Sequence, residues 1–206
     1  MYILLVFVFY ASIGWAGEKP ADPANAAPFL SLHGAWPEYD NGSYPERCRP
    51  VEWSDSELDG LRPQLDYYWR NMWNADDTES LWRHEMTVHG SCTDCGQRGF
   101  FEAVLGARAA ASNVTSIFEH AIPPSDDAPF ATEQLREALD ELGIAAFATC
   151  APDVYQNEQL TSLVVCLDFE FGLARGCTPA ILRMQCNSSS LYVHASLRPP
   201  HHSGNA

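Results

Sequence analysis

The sequence predicts an α+β protein in which an antiparallel β-sheet packs against several helices. In the first two thirds of the chain, apolar residues recur three and four positions apart, which is the spacing of amphipathic helices. In the last third the pattern changes to apolar, β-branched runs typical of strands. Helices and strands segregated in this way favour the α+β class. The 206 residues, 46% of them hydrophobic, suffice for one domain with its own core.

The first sixteen residues allow two interpretations. Residues 1–10 form an apolar run, and Gly14 and Ala16 supply the small-x-small pattern that precedes a signal-peptide cleavage. The run is too short for a comfortable membrane span, and its Ile, Val, Phe and Tyr residues equally suit a buried β-strand. We therefore predict a signal peptide, or else an N-terminal strand, over residues 1–16, followed by a single domain over residues 17–206.

The first helices are predicted between residues 54 and 89. The pattern S-D-S-E at residues 54–57 is typical of a capping box, and leucines spaced three and four apart follow it. Pro63 would interrupt this stripe, so the main helix is expected over residues 63–73. A second helix is predicted over residues 79–89, with Gly90 as its stop.

Two more helices are predicted in the middle of the chain. Residues 100–112 are rich in alanine with apolar residues at helical spacing. Residues 132–142 carry the clearest helical pattern, with Thr132 as the N-cap, leucines along one face and Gly143 as the stop.

The predicted strands are short and lie mainly near the end of the chain. Residues 160–171 and 191–196 have the apolar, β-branched composition of strands. An earlier strand over residues 29–33 would carry His33, and the polar segment that follows, residues 37–50, is expected to form a surface loop.

Charge and cysteine content narrow the class of function. The formal net charge of −15 opposes tight nucleic-acid binding at neutral pH. The same charge is a weaker argument against a nucleic-acid-binding enzyme that works at acid pH. There, histidines become positively charged and carboxylates become neutral, so the net charge is less negative. Seven cysteines are unusual for a cytosolic chain of this size, and together with the apolar N-terminal run they predict a secreted protein. Three glycosylation sequons agree with this location: Asn41, Asn113 and Asn187.

Two histidine segments carry the candidate chemistry. The first, S-L-H-G-A-W-P-E at residues 31–38, contains His33. The second, residues 81–92, contains H-E-x-x-x-H, formed by His84, Glu85 and His89. A zinc-protease helix needs H-E-x-x-H, whereas histidines five residues apart lie about 140° apart around a helix. We therefore predict neither a metal nor a cofactor, although the two imidazoles can still flank a small anion if the helix ends or tightens after them.

Imidazoles in this arrangement suit the cleavage of RNA without a metal. The reaction needs a base for the 2′-OH proton, an acid for the 5′ leaving oxygen and donors for the charged phosphorane. Two imidazoles suit the first two roles, and a third imidazole with a neighbouring carboxylate can hold the phosphate. Aromatic residues can stack the bases of single-stranded RNA, and Trp36 and Tyr44 lie close to His33 in the sequence.

The histidine segments resemble the conserved segments of the RNase T2 family of acid ribonucleases. S-L-H-G-A-W-P resembles the family's I-H-G-L-W-P, and W-R-H-E-M-T-V-H-G-S-C resembles W-x-H-E-W-x-K-H-G-T-C. The pattern Y-P-x-x-C at residues 44–48 resembles the S-Y-P-x-x-C that follows the first segment. The resemblance covers roughly residues 30–195.

The resemblance implies a disulfide-stapled, RNase T2-like fold and an endoribonuclease that cleaves single-stranded RNA. The expected products form through a 2′,3′-cyclic phosphate to a 3′-phosphate, with low base specificity and an acid pH optimum. His89 would be the general base and His33 the general acid, while His84 and Glu85 hold the phosphate. The implied base-binding residues are Trp36, Glu38 and Tyr44. The resemblance also adds a lysosome- or vacuole-like compartment as the other expected location, and we expect a monomer with no stable membrane association after processing.

Three departures from the family pattern bear on these expectations. Val88 stands where the family usually has a lysine, and the loss of one such donor can cost about 2.7–4 kcal/mol of transition-state stabilisation. We therefore expect a slower enzyme. Family members also carry a strand before the first segment, which either the N-terminal residues provide or the chain lacks. Met86 replaces a usual tryptophan, which we interpret as a packing change.

The resemblance also implies three disulfides and one unpaired cysteine. The implied pairs are Cys48–Cys92, Cys150–Cys186 and Cys166–Cys177. Cys95 is then left over, although C-T-D-C at residues 92–95 could instead be a redox motif or half a zinc site.

Alternatives to an active ribonuclease remain open. Because of Val88 and the short N-terminus, a catalytically weak, RNase-like protein that serves in binding or storage is a second interpretation. We interpret the other histidines as non-catalytic and three further tryptophans as packing residues: Trp53, Trp69 and Trp73.

Overall fold

A computed structural model of the chain describes residues 1–9, 30–74 and 76–195, and it confirms the α+β class with an antiparallel sheet. The strands are β1 (Tyr2–Phe9), β2 (Leu30–Glu38), β3 (Phe130–Ala131), β4 (Ala146–Pro152), β5 (Glu158–Leu167) and β6 (Ser190–Leu191). The helices are α1 (Arg62–Tyr68), α2 (Thr78–Val88), α3 (Gly96–Ala110), α4 (Ile117–His120) and α5 (Thr132–Glu141). Short 3₁₀ helices lie at Asp55–Leu58, Gly90–Cys92, Ser112–Ser116 and Ile181–Met184.

The main sheet has four strands in the order β2-β1-β5-β4, and all neighbouring strands are antiparallel. One face packs against the helices and forms the main hydrophobic core. The other face carries a smaller apolar cluster that includes Val6, Phe147, Val164 and Ile181. Because strands β1 and β5 bury side chains on both faces, they form the centre of the molecule.

Residues 2–9 form strand β1, so the structure has the N-terminal strand that was one of the two interpretations of residues 1–16. The strand pairs with β2 on one side and with β5 on the other. Ile3 and Leu5 have no exposed surface, and Leu4 is 1% exposed on the opposite face. Residues 2–9 thus supply a strand before the first histidine segment. The predicted cleavage position after Ala16 lies outside the described residues.

The predicted helices are present, but two of their boundaries differ. Helix α1 ends at Tyr68 and not near residue 73, because Trp69 leaves the helical conformation and donates from Nε1 to the carbonyl of His33 at 2.6 Å. Helix α5 has Ala131 as its N-cap, so the prediction that Thr132 caps it is wrong. The side-chain oxygen of Gln134 accepts from the backbone N–H of Ala131 instead, at 3.3 Å.

The predicted capping box at residues 54–57 does not open an α-helix. These residues lead into the 3₁₀ helix Asp55–Leu58, and the Ser54 side chain caps no backbone amide. The Ser54 hydroxyl lies 2.9 Å from the Ser56 hydroxyl, so it is engaged locally. A short polar side chain that bonds to its neighbour competes with capping in this way.

The strands differ more from prediction than the helices do. Strand β2 continues to Glu38, well beyond the predicted end at residue 33. Strand β5 stops at Leu167, because Asp168 turns the chain by accepting from the backbone of Gly172 at 2.8 Å. Strand β4 was not predicted, since its Ala, Thr and Pro residues carry little strand signal.

Three disulfides staple the fold in the pairing that the resemblance implies: Cys48–Cys92, Cys150–Cys186 and Cys166–Cys177. Cys95 is free and exposed. The sequon residues Asn41, Asn113 and Asn187 are all exposed. Within the described ranges, no helix has the length and apolar character needed to cross a membrane.

Candidate active site

Strand β2 and helix α2 bring the two histidine segments together. Helix α2 buries Trp82 and Met86 against the core. The Trp82 Nε1 donates to the carbonyl of Trp69 at 2.7 Å, and Trp69 in turn donates to the carbonyl of His33 at 2.6 Å. These two tryptophan bonds connect α2, the end of α1 and β2. The packing interpretation of Trp69 therefore agrees with the structure, and the residue also fixes the position of His33.

Gly34 allows the closest approach between β2 and α2. Next to it, Trp36 Nε1 donates to Glu85 Oε2 at 3.0 Å. A Cβ atom on residue 34 would lie only 1.9 Å from that same oxygen, which no side chain can tolerate. Glycine is therefore required at this position for a packing reason, and it places Glu85 beneath the histidines.

His33 lies beside the buried carboxyl. Its Nε2 is 3.9 Å from Glu85 Oε1, and its ring centroid is 5.2 Å from those of both Trp36 and Trp73. Burial, with a smaller contribution from the nearby charge of His84, lowers the pKa of His33 to about 4.

His84 and His89 face the same region despite their spacing of five residues. Helix α2 ends at Val88, and His89 is its C-cap, followed by the 3₁₀ turn Gly90–Cys92. This change of backbone conformation brings the two ring centroids to 6.4 Å. His84 is exposed, whereas His89 is half-buried against Trp36 with ring centroids 5.4 Å apart. The helix does end near Gly90, as an anion held between the two imidazoles requires.

Burial and three neighbouring basic residues affect the pKa of His89. Burial has the largest effect, and the charges of His84, His33 and Arg47 add to it, so that the pKa of His89 falls to about 4. His89 and His33 therefore stay neutral over most of the pH range in which free imidazoles are charged.

The carboxyl of Glu85 is shifted in the opposite direction. The side chain is 1% exposed, and this burial raises its pKa to about 8, although the hydrogen bond from Trp36 lowers it in part. Its Oε1 accepts no hydrogen bond. In acid the carboxyl of Glu85 is neutral, so it can donate a hydrogen bond to a ligand next to His33.

The side chains of His84, Glu85 and His89 also meet a geometric condition for metal binding. Their possible ligand atoms lie within 4.8 Å of one another. The helical spacing therefore does not separate them as our sequence argument assumed, because His89 is outside the helix. A carboxyl that burial keeps protonated is nevertheless a poor ligand for a cation, so the donor set does not favour a resident ion.

A cleft of about 290 Å³ opens beside His89. Its lining includes all three residues that the resemblance implies for base binding: Trp36, Glu38 and Tyr44. Tyr44 is 59% exposed, as a stacking surface must be. Glu38 is 6% exposed, and burial raises its pKa to about 7, so it too can be a donor in acid. Glu46 and Met184 complete the lining.

Sequence reasoning missed three residues of this region. Trp73 was assigned to packing, yet it lies beside His33 and is 38% exposed. Met184 comes from a distant segment, and no local signal in the sequence indicates it. Arg47 could have been found, since it precedes Cys48, and the partner Cys92 lies three residues after His89.

Comparisons with known proteins identify the family of the chain. The model of the Ribonuclease T2 family matches residues 2–177. Ribonuclease 3 of Arabidopsis thaliana is 26% identical over 194 residues, which cover 87% of this chain and 86% of that protein. Intracellular ribonuclease LX of Solanum lycopersicum is 26% identical over 142 residues, 68% of this chain and 60% of that protein.

A solved structure shows the same fold. The crystal structure of RNase NT in complex with 5′-AMP superposes with a TM-score of 0.83 at 24% identity, covering 94% of this chain and 97% of that one. The family match includes strand β1 and both histidine segments. The chain therefore belongs to the Ribonuclease T2 family.

Proposed function

We propose that the protein is an endoribonuclease that cleaves single-stranded RNA without a metal, at acid pH. One observation carries the proposal: three imidazoles lie near one buried carboxyl, and one of them, His89, also lines a cleft with an exposed aromatic ring. Membership of the family supports an endoribonuclease activity. The nucleotide bound to RNase NT, a relative in fold, supports RNA as the substrate class.

In the proposed first step, neutral His89 removes the proton from the 2′-OH, and the 2′ oxygen attacks phosphorus. The imidazolium of His33 gives its proton to the departing 5′ oxygen, which leaves a 2′,3′-cyclic phosphate. In the second step the roles reverse: His33 takes a proton from water, whose oxygen attacks phosphorus, and His89 returns a proton to the 2′ oxygen. The product ends in a 3′-phosphate.

Glu85 and His84 would stabilise the pentacovalent phosphorus between these steps. Neutral Glu85 can donate a hydrogen bond from its unpartnered oxygen beside His33. His84 is exposed, and its ring centroid lies 6.4 Å from that of His89, so it can contact the same phosphate. Donors arranged before the charge develops are the main source of stabilisation in reactions of this kind.

The cleft beside His89 is the proposed base site. Tyr44 offers an exposed ring for stacking, and stacking is tolerant of sequence because every base has a π-face. Glu38 adds a carboxyl that burial keeps largely protonated below pH 7. A site with one stacking ring and few donors agrees with low base specificity.

Val88 supports the finer proposal that the rate is lower than in relatives with a lysine at this position. Its side chain is 4% exposed and apolar, so it contributes no charge to the phosphate. We expect Val88→Lys to raise the cleavage rate, provided that the variant remains folded. The same observation favours the second candidate function, a catalytically weak RNase-like protein that binds RNA or serves as storage.

A secreted or lysosome- or vacuole-like location is also part of the proposal. Three disulfides and three exposed sequons support it. An acidic compartment would also reduce the negative charge of the protein and so favour contact with a polyanion. We propose that the protein acts as a monomer that is not stably bound to a membrane.

RNA cleavage measured with EDTA from pH 4 to pH 8 tests the proposed function. A base that must be neutral and an acid that must be protonated, both with a pKa of about 4, predict a maximum of kcat/KM near pH 4, so kcat/KM should fall steadily across the scan from pH 4 to pH 8. His33→Ala and His89→Ala should each lower cleavage by at least about 10²-fold, and His201→Ala should not.

Three outcomes would count against the proposal. Full activity in His33→Ala or His89→Ala would refute the site, and activity abolished by EDTA would refute the metal-free reaction. A parent that binds RNA but does not cleave it at any pH would favour the binding or storage protein.

A further inference from the structure

The proposed base cleft is poor in positive charge where a polyanion has to bind. Among the residues that the structure describes, its lining includes two carboxyl groups, Glu38 and Glu46, and neither Lys nor Arg. The whole chain has a formal net charge of −15. Val88, next to the general base, is apolar and buried. A reaction that builds negative charge on phosphorus therefore needs a cation from elsewhere in the fold.

The loop that follows Tyr44 brings Arg47 to the end of helix α2. The backbone N–H of Arg47 donates to the carbonyl of Val88 at 2.9 Å. One residue further, the N–H of Cys48 donates to the hydroxyl of Ser91 at 3.1 Å. Arg47 is thus adjacent to the residue that precedes His89 in the chain.

Several constraints hold this loop in place. Arg47 has a φ of +48°, an uncommon conformation for a residue other than glycine. The disulfide Cys48–Cys92 fastens the loop directly after it. A strained backbone held by a disulfide and two hydrogen bonds fixes the starting point of the side chain, which is a requirement for a group that acts at a reacting centre.

The guanidinium of Arg47 is also available. The side chain is exposed and pairs with no carboxylate among the residues that the structure describes. In contrast, five other arginines form ion pairs with Asp or Glu: Arg49, Arg62, Arg83, Arg98 and Arg136. Its charge reaches the site, because it is one of the causes that lower the pKa of His89.

We propose that Arg47 binds the scissile phosphate and supplies, from the loop, the positive charge that Val88 does not supply from the helix. The role rests on the proposed ribonuclease function. A guanidinium suits it, because its planar donors match two phosphate oxygens at once and it stays charged at every working pH. Next to His89, the same charge also favours the neutral imidazole that acts as the base.

Kinetics of Arg47→Gln and Arg47→Lys on RNA test this role. We expect Arg47→Gln to lower kcat/KM by about tenfold, less than the 10²–10³-fold of a buried oxyanion donor because Arg47 is exposed. Arg47→Lys keeps the positive charge but loses the planar pair of donors, so its kcat/KM should lie between those of the parent and of Arg47→Gln. The control is Arg175→Gln, which removes the same charge from an exposed arginine beside β4, at the far edge of the sheet; its kcat/KM should equal that of the parent.

A double-mutant cycle with Val88→Lys tests whether the two positions act on one phosphate. If they do, the lysine should raise the rate more in the Arg47→Gln background than in the parent. Equal effects of Val88→Lys in both backgrounds, or Arg47→Gln with the kcat/KM of the parent, would overturn the proposal.

Two measurements that need no catalysis separate this proposal from the proposed function. Affinity for inorganic phosphate should fall severalfold in Arg47→Gln, and the NMR titration of His89 should move to higher pH, because a neighbouring positive charge is gone. If the parent cleaves no RNA but both changes occur, the proposed function fails and the phosphate contact of Arg47 stands. If neither change occurs, the contact does not exist, whatever the activity.

Discussion

At the scale of the residue, Glu85 shows how burial converts a common side chain into a specialised one. Its carboxyl lies beneath two imidazoles, with one oxygen bonded to Trp36 and the other without a hydrogen bond. Removing a charge from water disfavours it, so the carboxyl is neutral in the acid range, where it can act as a donor. Such a group costs stability at higher pH, where the unfolded chain releases the proton.

This cost predicts how the stability of Glu85→Gln depends on pH. The folded-state pKa of about 8 lies above the ordinary value of 4.5, so the contribution of Glu85 is fully present below pH 4.5 and is lost as pH rises through 8. Glutamine cannot ionise. The free energy of unfolding of the variant minus that of the parent should therefore grow by up to about 3 kcal/mol between pH 4.5 and pH 7.

Urea unfolding of both proteins at several pH values measures this difference. RNA cleavage by the variant at acid pH should stay close to that of the parent, because the amide can accept from Trp36 and donate a hydrogen bond toward the phosphate as the neutral carboxyl does. A difference in unfolding free energy that stays constant with pH would show that the carboxyl of Glu85 is not held neutral.

At the scale of the element, the site depends on how closely strand β2 approaches helix α2. The strand carries His33 and Trp36, and the helix carries His84 and Glu85. Gly34 leaves the space through which the Trp36 indole reaches the Glu85 carboxyl. The relative position of His33 and Glu85 thus depends on the contact between these two elements.

Gly34→Ala should separate these two elements. A Cβ atom there would lie 1.9 Å from Glu85 Oε2 and 2.5 Å from Trp36 Nε1, so at least one side chain must move. We expect a loss of about 1–3 kcal/mol in unfolding free energy from overpacking. A misplacement of about 1 Å should also lower kcat/KM by about 10²-fold.

The matched control for this substitution is Gly106→Ala in helix α3. A Cβ atom at residue 106 would meet nothing within 4 Å, so the change should leave cleavage unaltered and stabilise the helix slightly. Thermal melting and RNA cleavage of both variants measure the effects. If Gly34→Ala behaved like Gly106→Ala, the close approach of β2 and α2 would not matter for the site.

At the scale of the whole molecule, the position of β1 ties the site to the N-terminus. The strand lies between β2, which carries His33, and β5. Its removal would leave β2 without its partner in the main sheet and expose apolar side chains on two faces. Without β1, the edges of β2 and β5 that now pair with it would be left without hydrogen-bond partners in the sheet, which is unfavourable for a folded protein.

We therefore propose that the functional protein retains residues 2–9. N-terminal sequencing of purified, active protein should find this segment, and Leu5→Ala should lower the free energy of unfolding by about 2–5 kcal/mol, because Leu5 is completely buried. An active protein that begins after Ala16, with the same stability in the Leu5→Ala variant, would establish the signal-peptide interpretation instead.

The sequence alone determined the features that depend on neighbouring residues and on short motifs. Periodic leucines placed α5, and the stop signal at Gly90 placed the end of α2 within two residues. The histidine segments identified His33, His84 and His89 as candidates, and the family resemblance implied the disulfide pairs that the structure contains. Their catalytic roles stay predictions.

Only the tertiary structure decided which distant groups meet and how deeply they are buried. The bond between Trp36 and Glu85 joins residues 49 positions apart, and the contact of Arg47 with Val88 joins 41. Neither follows from a local pattern. The protonation of Glu85 and the neutrality of His89 depend on the removal of water, which happens only when strand, helix and loop pack together. The periodicity of a sequence encodes its elements, whereas the electrostatics of a site arise from the whole fold.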